Sequence, residues 1–206
     1  MLAFVIFVFA VAGMIKGTIG LGLPAVSMGL LSLVISPFQA ATLLIIPSMV
    51  TNFWQLFAEG RVLRLVQRFW PLLVGMIIGS VWCVFPTLGH GEFQSEALLG
   101  GMLAIYGLYG LFAKNMPNLA PYEKYLSPIM GYLGGALTVA TGVGVIPVVP
   151  YLQSLHLKRD DLVQSLGLAF TVSTLCLAVY LHLNPVEDTP IDYQLSLVAL
   201  LFALLG

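Results

Sequence analysis

Charge is what this chain has least of. Lysine and arginine number 8 and aspartate and glutamate 9 among 206 residues, 8% together. A soluble domain carries about 25% charged residues, so there is too little here to coat a water-facing surface. No soluble domain is hidden inside the chain either. The longest polar stretch, 114–127, is interrupted by leucine and proline and is too short to bury a core. The net charge is −1 with scattered basic residues, which offers nothing to nucleic acid. Cysteine is scarce too: Cys83 and Cys176 lie in apolar runs without a CxxC partner, a pattern of buried thiols rather than a disulfide or metal site. His90, His156 and His182 sit in or beside polar joints with no second ligand at i+3 or i+4, so they are read as interfacial. The start, apolar from Leu2 onward, has no basic n-region and no cleavage signature, so retained structure rather than a signal peptide is expected. Nucleophile–base motifs, phosphate-binding loops and metal clusters are missing from the sequence, so neither enzymatic activity nor a cofactor is expected.

What the chain has is apolar length. Hydrophobic residues make up 59%, and the mean hydropathy is +1.00. Apolar runs cover 2–35, 38–58, 69–88, 97–113, 128–155, 162–183 and 193 onward, joined by short polar segments. In hydrocarbon every backbone group must be satisfied internally, so these runs are helices and the chain is an all-α membrane protein in a lipid bilayer. The last run stops after about 14 residues, short for a span, so a chain incomplete at its C-terminus is expected.

Two runs are wrong for simple spans. Run 2–35 would be roughly 50 Å as continuous helix, against a hydrocarbon core of about 30 Å. Midway it carries Gly17-Thr18-Ile19-Gly20-Leu21-Gly22-Leu23-Pro24, whose glycines and proline weaken a helix. Run 128–155 repeats the device as Thr141-Gly142-Val143-Gly144-Val145-Ile146-Pro147. Setting Gly20-x-Gly22 on Gly142-x-Gly144 gives an offset of 122, which also sets Gly13 on Gly135, with the proline one place out of register. The expectation is two tandem repeats, 1–120 and 121–206, each starting with a Gly/Pro-broken or re-entrant helix.

Basic residues decide between those two forms, because short cytoplasmic loops carry the excess of lysine and arginine. If the broken runs cross, Arg61, Arg64, Arg68, Lys114 and Lys124 face one side and Lys158 and Arg159 the other. If they are re-entrant hairpins, all seven share one side, and Glu92, Glu96, Glu187, Asp188 and Asp192 take the opposite one. The hairpin form is preferred. It leaves three spans between the hairpins, so the repeats are inverted and the N-terminus lies outside.

Inverted repeats with broken helices are a secondary-transporter architecture, with the substrate near the midplane at the breaks. A break frees backbone N–H groups and a positive dipole end at the second half-helix. Gly20, Gly22, Gly142 and Gly144 let the backbone approach a ligand, and Pro24 and Pro147 suit the first turn that follows. The same small residues also allow close helix packing, and for Gly75 and Gly79 that is the preferred account. Lys16 is the charge inside a membrane run, about 20 Å along the first arm, too deep for its stem to reach water easily. It favours an anionic substrate or a proton step, and its counterpart is Thr138. Ser48, Asn52 and Gln55 form one polar helix face, and Gln164, Thr171 and Thr174 another, suited to pore lining or to interhelical bonds.

The segment Ala12-Gly13-Met14-Ile15-Lys16-Gly17-Thr18-Ile19-Gly20-Leu21-Gly22, with Ser36-Pro37 ahead of Asn52, resembles the first repeat of the sulfite/sulfonate exporter (TauE/SafE) family. Gly131-Tyr132-Leu133-Gly134-Gly135 with Thr141-Gly142-Val143-Gly144, Pro150 and Leu152 resembles its second repeat, except that Val145-Ile146 replaces a further glycine. The resemblance runs over nearly the whole chain, and the family continues through further membrane segments. It implies a bacterial inner-membrane permease for small sulfur-containing anions such as sulfite or organosulfonates; alternating access is expected from one repeat moving against the other. The expected substrate-binding set is Lys16, Thr18, Gly20, Gly22, Pro24, Asn52, Thr141, Gly142, Gly144 and Thr174. A coupling proton or Na+ and a homodimer are open expectations. The alternative function is an anion channel or a structural membrane-assembly subunit.

Overall fold

The computed structural model describes residues 1–58, 60–88, 92–112, 117–185 and 193–205. His90, Lys114, Glu187, Asp188 and Asp192 therefore lie outside the described residues, as does the side chain of Glu92. The described chain is helical: α1 (Leu2–Ile19), α2 (Leu23–Leu31), α3 (Pro37–Phe57), α4 (Val62–Val81), α5 (Glu92–Phe112), a 3-10 turn (Ala120–Tyr122), α6 (Glu123–Thr141), α7 (Val145–Ser154), α8 (Arg159–Leu183) and α9 (Tyr193–Leu205). Five helices, α1, α3, α4, α5 and α8, are long and apolar enough to cross a membrane. The outer surface is apolar, with Trp54, Leu111, Phe112 and Leu205 exposed, while Ser48, Asn52 and Gln164 are buried. That distribution suits lipid outside and a polar seam within.

Both expected breaks are present. α1 ends where Gly20 turns left-handed at φ 81°, its N–H reaching the Lys16 carbonyl at 2.7 Å. α6 ends the same way at Gly142, φ 75°, with its N–H on the Thr138 carbonyl at 2.8 Å. A residue with a Cβ resists that conformation, so glycine sets both stops. Pro24 lies in the first turn of α2, where a missing N–H costs nothing. The 122-residue offset carries the end of α1 onto the end of α6, the start of α2 onto that of α7, and the start of α3 onto that of α8.

Run boundaries are less accurate. Run 69–88 becomes α4 at Val62–Val81, so Arg64 and Arg68 belong to the helix rather than to a joint, and 82–88 is irregular. Hydropathy locates the apolar middle of a helix, whereas backbone bonding continues into its basic first turns. The first arm is also longer than a partial helix: α1 alone meets the length of a span.

Bonds between elements sort the joints into two ends of the bundle. At one end Arg61 pairs with Asp161 at 2.9 Å, Arg68 with Glu123 at 2.7 Å, and Leu119 N–H with the Ser154 carbonyl at 3.1 Å. At the other, Leu88 N–H donates to the Val139 carbonyl at 3.0 Å and the Tyr180 hydroxyl to the Leu88 carbonyl at 3.2 Å. Thus α7 finishes beside the start of α6. Lys16 meets Asn52, and the Gly20 carbonyl meets Gln55, so α1 runs parallel to α3 and α2 turns back between them. α3 and α8 are antiparallel, because Asn52 meets Thr174 while Gln55 meets Val163.

α4 and α6 run parallel and almost touch. A methyl on Gly75 would strike the Pro128 carbonyl, one on Gly79 the Tyr132 carbonyl, and one on Gly131 or Gly135 the Leu72 or Met76 carbonyl. Both faces carry glycine at i and i+4, which is how backbones approach closely in lipid. Pro47, inside α3, cannot donate to the Leu43 carbonyl four residues earlier. Ser196 of α9 donates there instead at 2.9 Å, docking α9 on the proline break.

Candidate functional site

Lys16 lies on the last turns of α1, and α3 supplies what it meets. Its side chain is 7% exposed. The ammonium donates to Thr51 Oγ1 at 3.0 Å and to Asn52 Oδ1. Thr51 and Asn52 are consecutive on α3, one turn above Pro47, and Thr51 Oγ1 in turn donates to the Pro47 carbonyl at 2.7 Å. Asn52, fully buried, uses its amide N–H on Thr174 Oγ1 at 3.2 Å. Both expected polar faces therefore point at each other across the α3–α8 contact. No carboxylate pairs with Lys16 among the described residues.

Gln55 holds the first break in place. Its amide donates to the Gly20 carbonyl at 2.9 Å and to the Val163 carbonyl at 2.8 Å, so α1 and α8 are tied to one side chain. Gln164 returns the contact, donating to the Leu56 carbonyl at 2.7 Å. Neither Gln55 Oε1 nor Gln164 Oε1 has a partner among the described residues. On the far side of Asn52, Thr138 Oγ1 and Ser173 Oγ lie 2.7 Å apart.

The expected site residues are divided by the fold. Lys16, Asn52 and Thr174 form one bonded chain. Lys16 and Gly20 line a groove of about 580 Å³ that also takes in Thr51 and Gln55. Pro24, Gly142, Gly144 and Thr174 line a separate chamber of about 20 Å³ with Ser48 and Thr138. Asn52 lies between the two cavities, and three further residues line neither. Thr18 is exposed, with its hydroxyl bonded back to the Met14 and Ile15 carbonyls at 3.0 Å. Gly22 is buried at φ 108° against Ile15. The Thr141 hydroxyl is engaged with its own break, donating to the Leu137 carbonyl at 2.8 Å and accepting from Val143 N–H at 3.2 Å. Thr51 and Ser173 were missed by sequence reasoning. Their signal was available, since the offset that pairs Lys16 with Thr138 also pairs Thr51 with Ser173.

His156 lies outside this cluster, with its ring Nδ1 at 3.0 Å from the Ser154 carbonyl. Cys83 and Cys176 are free thiols.

The arrangement sets a buried lysine beside a helix break and at the edge of a groove. Comparison with known proteins places it. The family model described as Sulfite exporter TauE/SafE matches residues 5–206, nearly the entire chain. Neither the curated proteins nor the solved structures provide a match. The chain, a multi-pass helical membrane protein by its five apolar helices, belongs to the TauE/SafE family of sulfite-exporter-type transporters.

Proposed function

We propose that the protein carries a small sulfur oxyanion, sulfite or an organosulfonate, across the bacterial inner membrane by alternating access, with Lys16 as its anchoring charge. The observation that carries this reading is Lys16 itself. It is buried, held by two neutral oxygens, and beside a groove large enough for a small anion. A buried charge without an opposite partner is costly, and a bound oxyanion supplies the partner. Thr51 and the Gln55 amide edge give the groove polar groups beside the charge.

Two features support an inverted repeat with re-entrant hairpins. Packing is exchanged between the halves: α1 lies on α9 of the second half, while α6 lies on α4 of the first. Likewise α3 contacts α9 and α4 contacts α8. A two-fold axis through the α3–α8 contact interchanges these pairs. The basic residues Arg61, Arg68, Lys124 and Arg159 also gather at the end where Ser154 returns to Leu119. That end is the cytoplasmic one under the positive-inside rule.

Purified protein in liposomes tests the reading. Saturable uptake of sulfite or an organosulfonate, with counterflow by unlabelled anion and loss of affinity in Lys16→Met, is the expected result. Ohmic currents without counterflow would assign a channel instead. Uptake indifferent to Lys16→Met would remove Lys16 from the site.

A further inference from the structure

Four residues that line the closed chamber stand 122 positions after four that line the open groove. Lys16, Gly20, Thr51 and Gln55 line the groove, and Thr138, Gly142, Ser173 and Leu177 line the chamber. The internal bond recurs as well: Lys16 with Thr51 at 3.0 Å in one, Thr138 with Ser173 at 2.7 Å in the other. Among the described residues, none lines both cavities. Asn52 lines neither and stands between them, bonded to Lys16 on one side and Thr174 on the other. The groove lies toward the basic end, beside Ala58 and Val163, and the chamber lies away from it, beside Leu177 and Gly142. The two differ in volume, about 580 Å³ against about 20 Å³. The chamber has room for roughly one water molecule.

We propose that the chamber is a second anion-binding station, shut in this structure, which takes the oxyanion from the non-basic side through hydroxyl and amide donors alone. The inference rests on the transport reading above. Ser48 supplies the independent observation. It is 1% exposed and lines the chamber, and its hydroxyl has no partner among the described residues. A buried hydroxyl left unbonded is costly, so its partner arrives with the occupant.

Carbonyls at this break are already engaged. The Thr138 carbonyl already accepts from Gly142 N–H, the Gly134 carbonyl from the Thr138 hydroxyl, and the Leu137 carbonyl from the Thr141 hydroxyl. The first-turn N–H groups of α7, beginning at Val145, have no helical acceptor. N–H groups at the positive end of a helix suit an anion. With threonine in place of the lysine, this station is the weaker of the two. Release is therefore favoured on its side once the groove shuts and the chamber opens. Asn52 and Thr174, on the axis, are shared by both arrangements.

Sided chemistry tests this. In a background with Cys83→Ala and Cys176→Ala, Thr51→Cys and Ser173→Cys are exposed to a membrane-impermeant cationic methanethiosulfonate from each side of oriented vesicles. Thr51→Cys should react only from the basic end and Ser173→Cys only from the opposite end. Uptake of sulfite and of sulfoacetate from each side is then measured for Ser48→Ala, which breaks no bond in this structure. Affinity from the non-basic side should fall about tenfold, as for loss of one hydrogen bond to a charged group, with affinity from the basic side unchanged. Ser173→Cys unreactive from the non-basic side, or Ser48→Ala kinetics equal to wild type on both sides, overturns the second station. If Lys16→Met still weakens uptake in that case, the transport reading stands and the chamber alone is rejected.

Discussion

The Asn52 amide donates to the Thr174 hydroxyl at 3.2 Å, although the two residues stand 122 positions apart. They are each other's counterparts under the offset that aligns the two helix breaks. In two repeats related by a two-fold axis, a residue meets its own counterpart only at the axis. The bond therefore supports placing that axis through the α3–α8 contact, between the groove and the chamber. Asn52 also accepts from Lys16, so it links that side chain to the α3–α8 contact.

Asn52→Asp should separate folding from binding. A carboxylate at this position gives Lys16 an internal counter-ion in the place of a bound anion. Thermal stability in detergent should hold or rise, while anion affinity falls at least tenfold. By contrast, Asn52→Ala removes an acceptor from the ammonium and should lower stability by about 1.5–3 kcal/mol. Asn52→Asp with wild-type affinity would mean the anion does not use the Lys16 charge.

Lys16 itself can be tested by length and geometry. A charge pair about 4 Å apart at an effective dielectric near 20 is worth roughly 4 kcal/mol before desolvation, and a third of that is about tenfold in affinity. Lys16→Met keeps the stem and deletes the charge. It should fold at least as well as wild type, because a buried charge is removed, yet bind sulfite about tenfold more weakly or worse. Lys16→Arg should keep part of the affinity, since a planar fork replaces a compact ammonium between Thr51 and Asn52. Equilibrium binding in detergent, with expression as a folding control, reads both.

The α4–α6 contact predicts an asymmetric response to one extra methyl. Gly79→Ala places a Cβ against the Tyr132 carbonyl, so the helices must part, at a cost of about 1–3 kcal/mol. Gly107→Ala on α5 meets nothing within 4 Å and should be neutral or slightly stabilising. Melting temperatures in the same detergent compare the two. Equal effects would contradict the backbone contact.

Topology follows from the ion pairs Arg61–Asp161 and Arg68–Glu123, which hold the joints at one end. Single cysteines at Arg64 and Lys158, in a background without the native thiols, should react with an impermeant reagent from the same, cytoplasmic side. Reaction from opposite sides would mean that the broken helices cross the membrane.

Much of the architecture was legible because its causes are local. Glycine's access to left-handed φ at Gly20 and Gly142, proline's place in a first turn, and the apolar runs act over a few residues. The sequence alone therefore determined the helical class, the two breaks, the 122-residue offset and the family resemblance. The close approach at Gly75 and Gly79 was also visible, as small residues at i and i+4. Tertiary structure decided what each side chain meets. The rotation of α1 about its axis buries Lys16 against Thr51 and Asn52 but turns Thr18, two residues on, toward the exterior, where its hydroxyl folds back on its own helix. The expected single cavity became a groove and a chamber because Asn52 and Thr174 close the space between the breaks. Which helices cross, and at what rotation, depends on contacts between residues more than a hundred positions apart. Periodicity carries no record of those contacts, because each helix face is amphipathic or apolar whichever partner it finally meets.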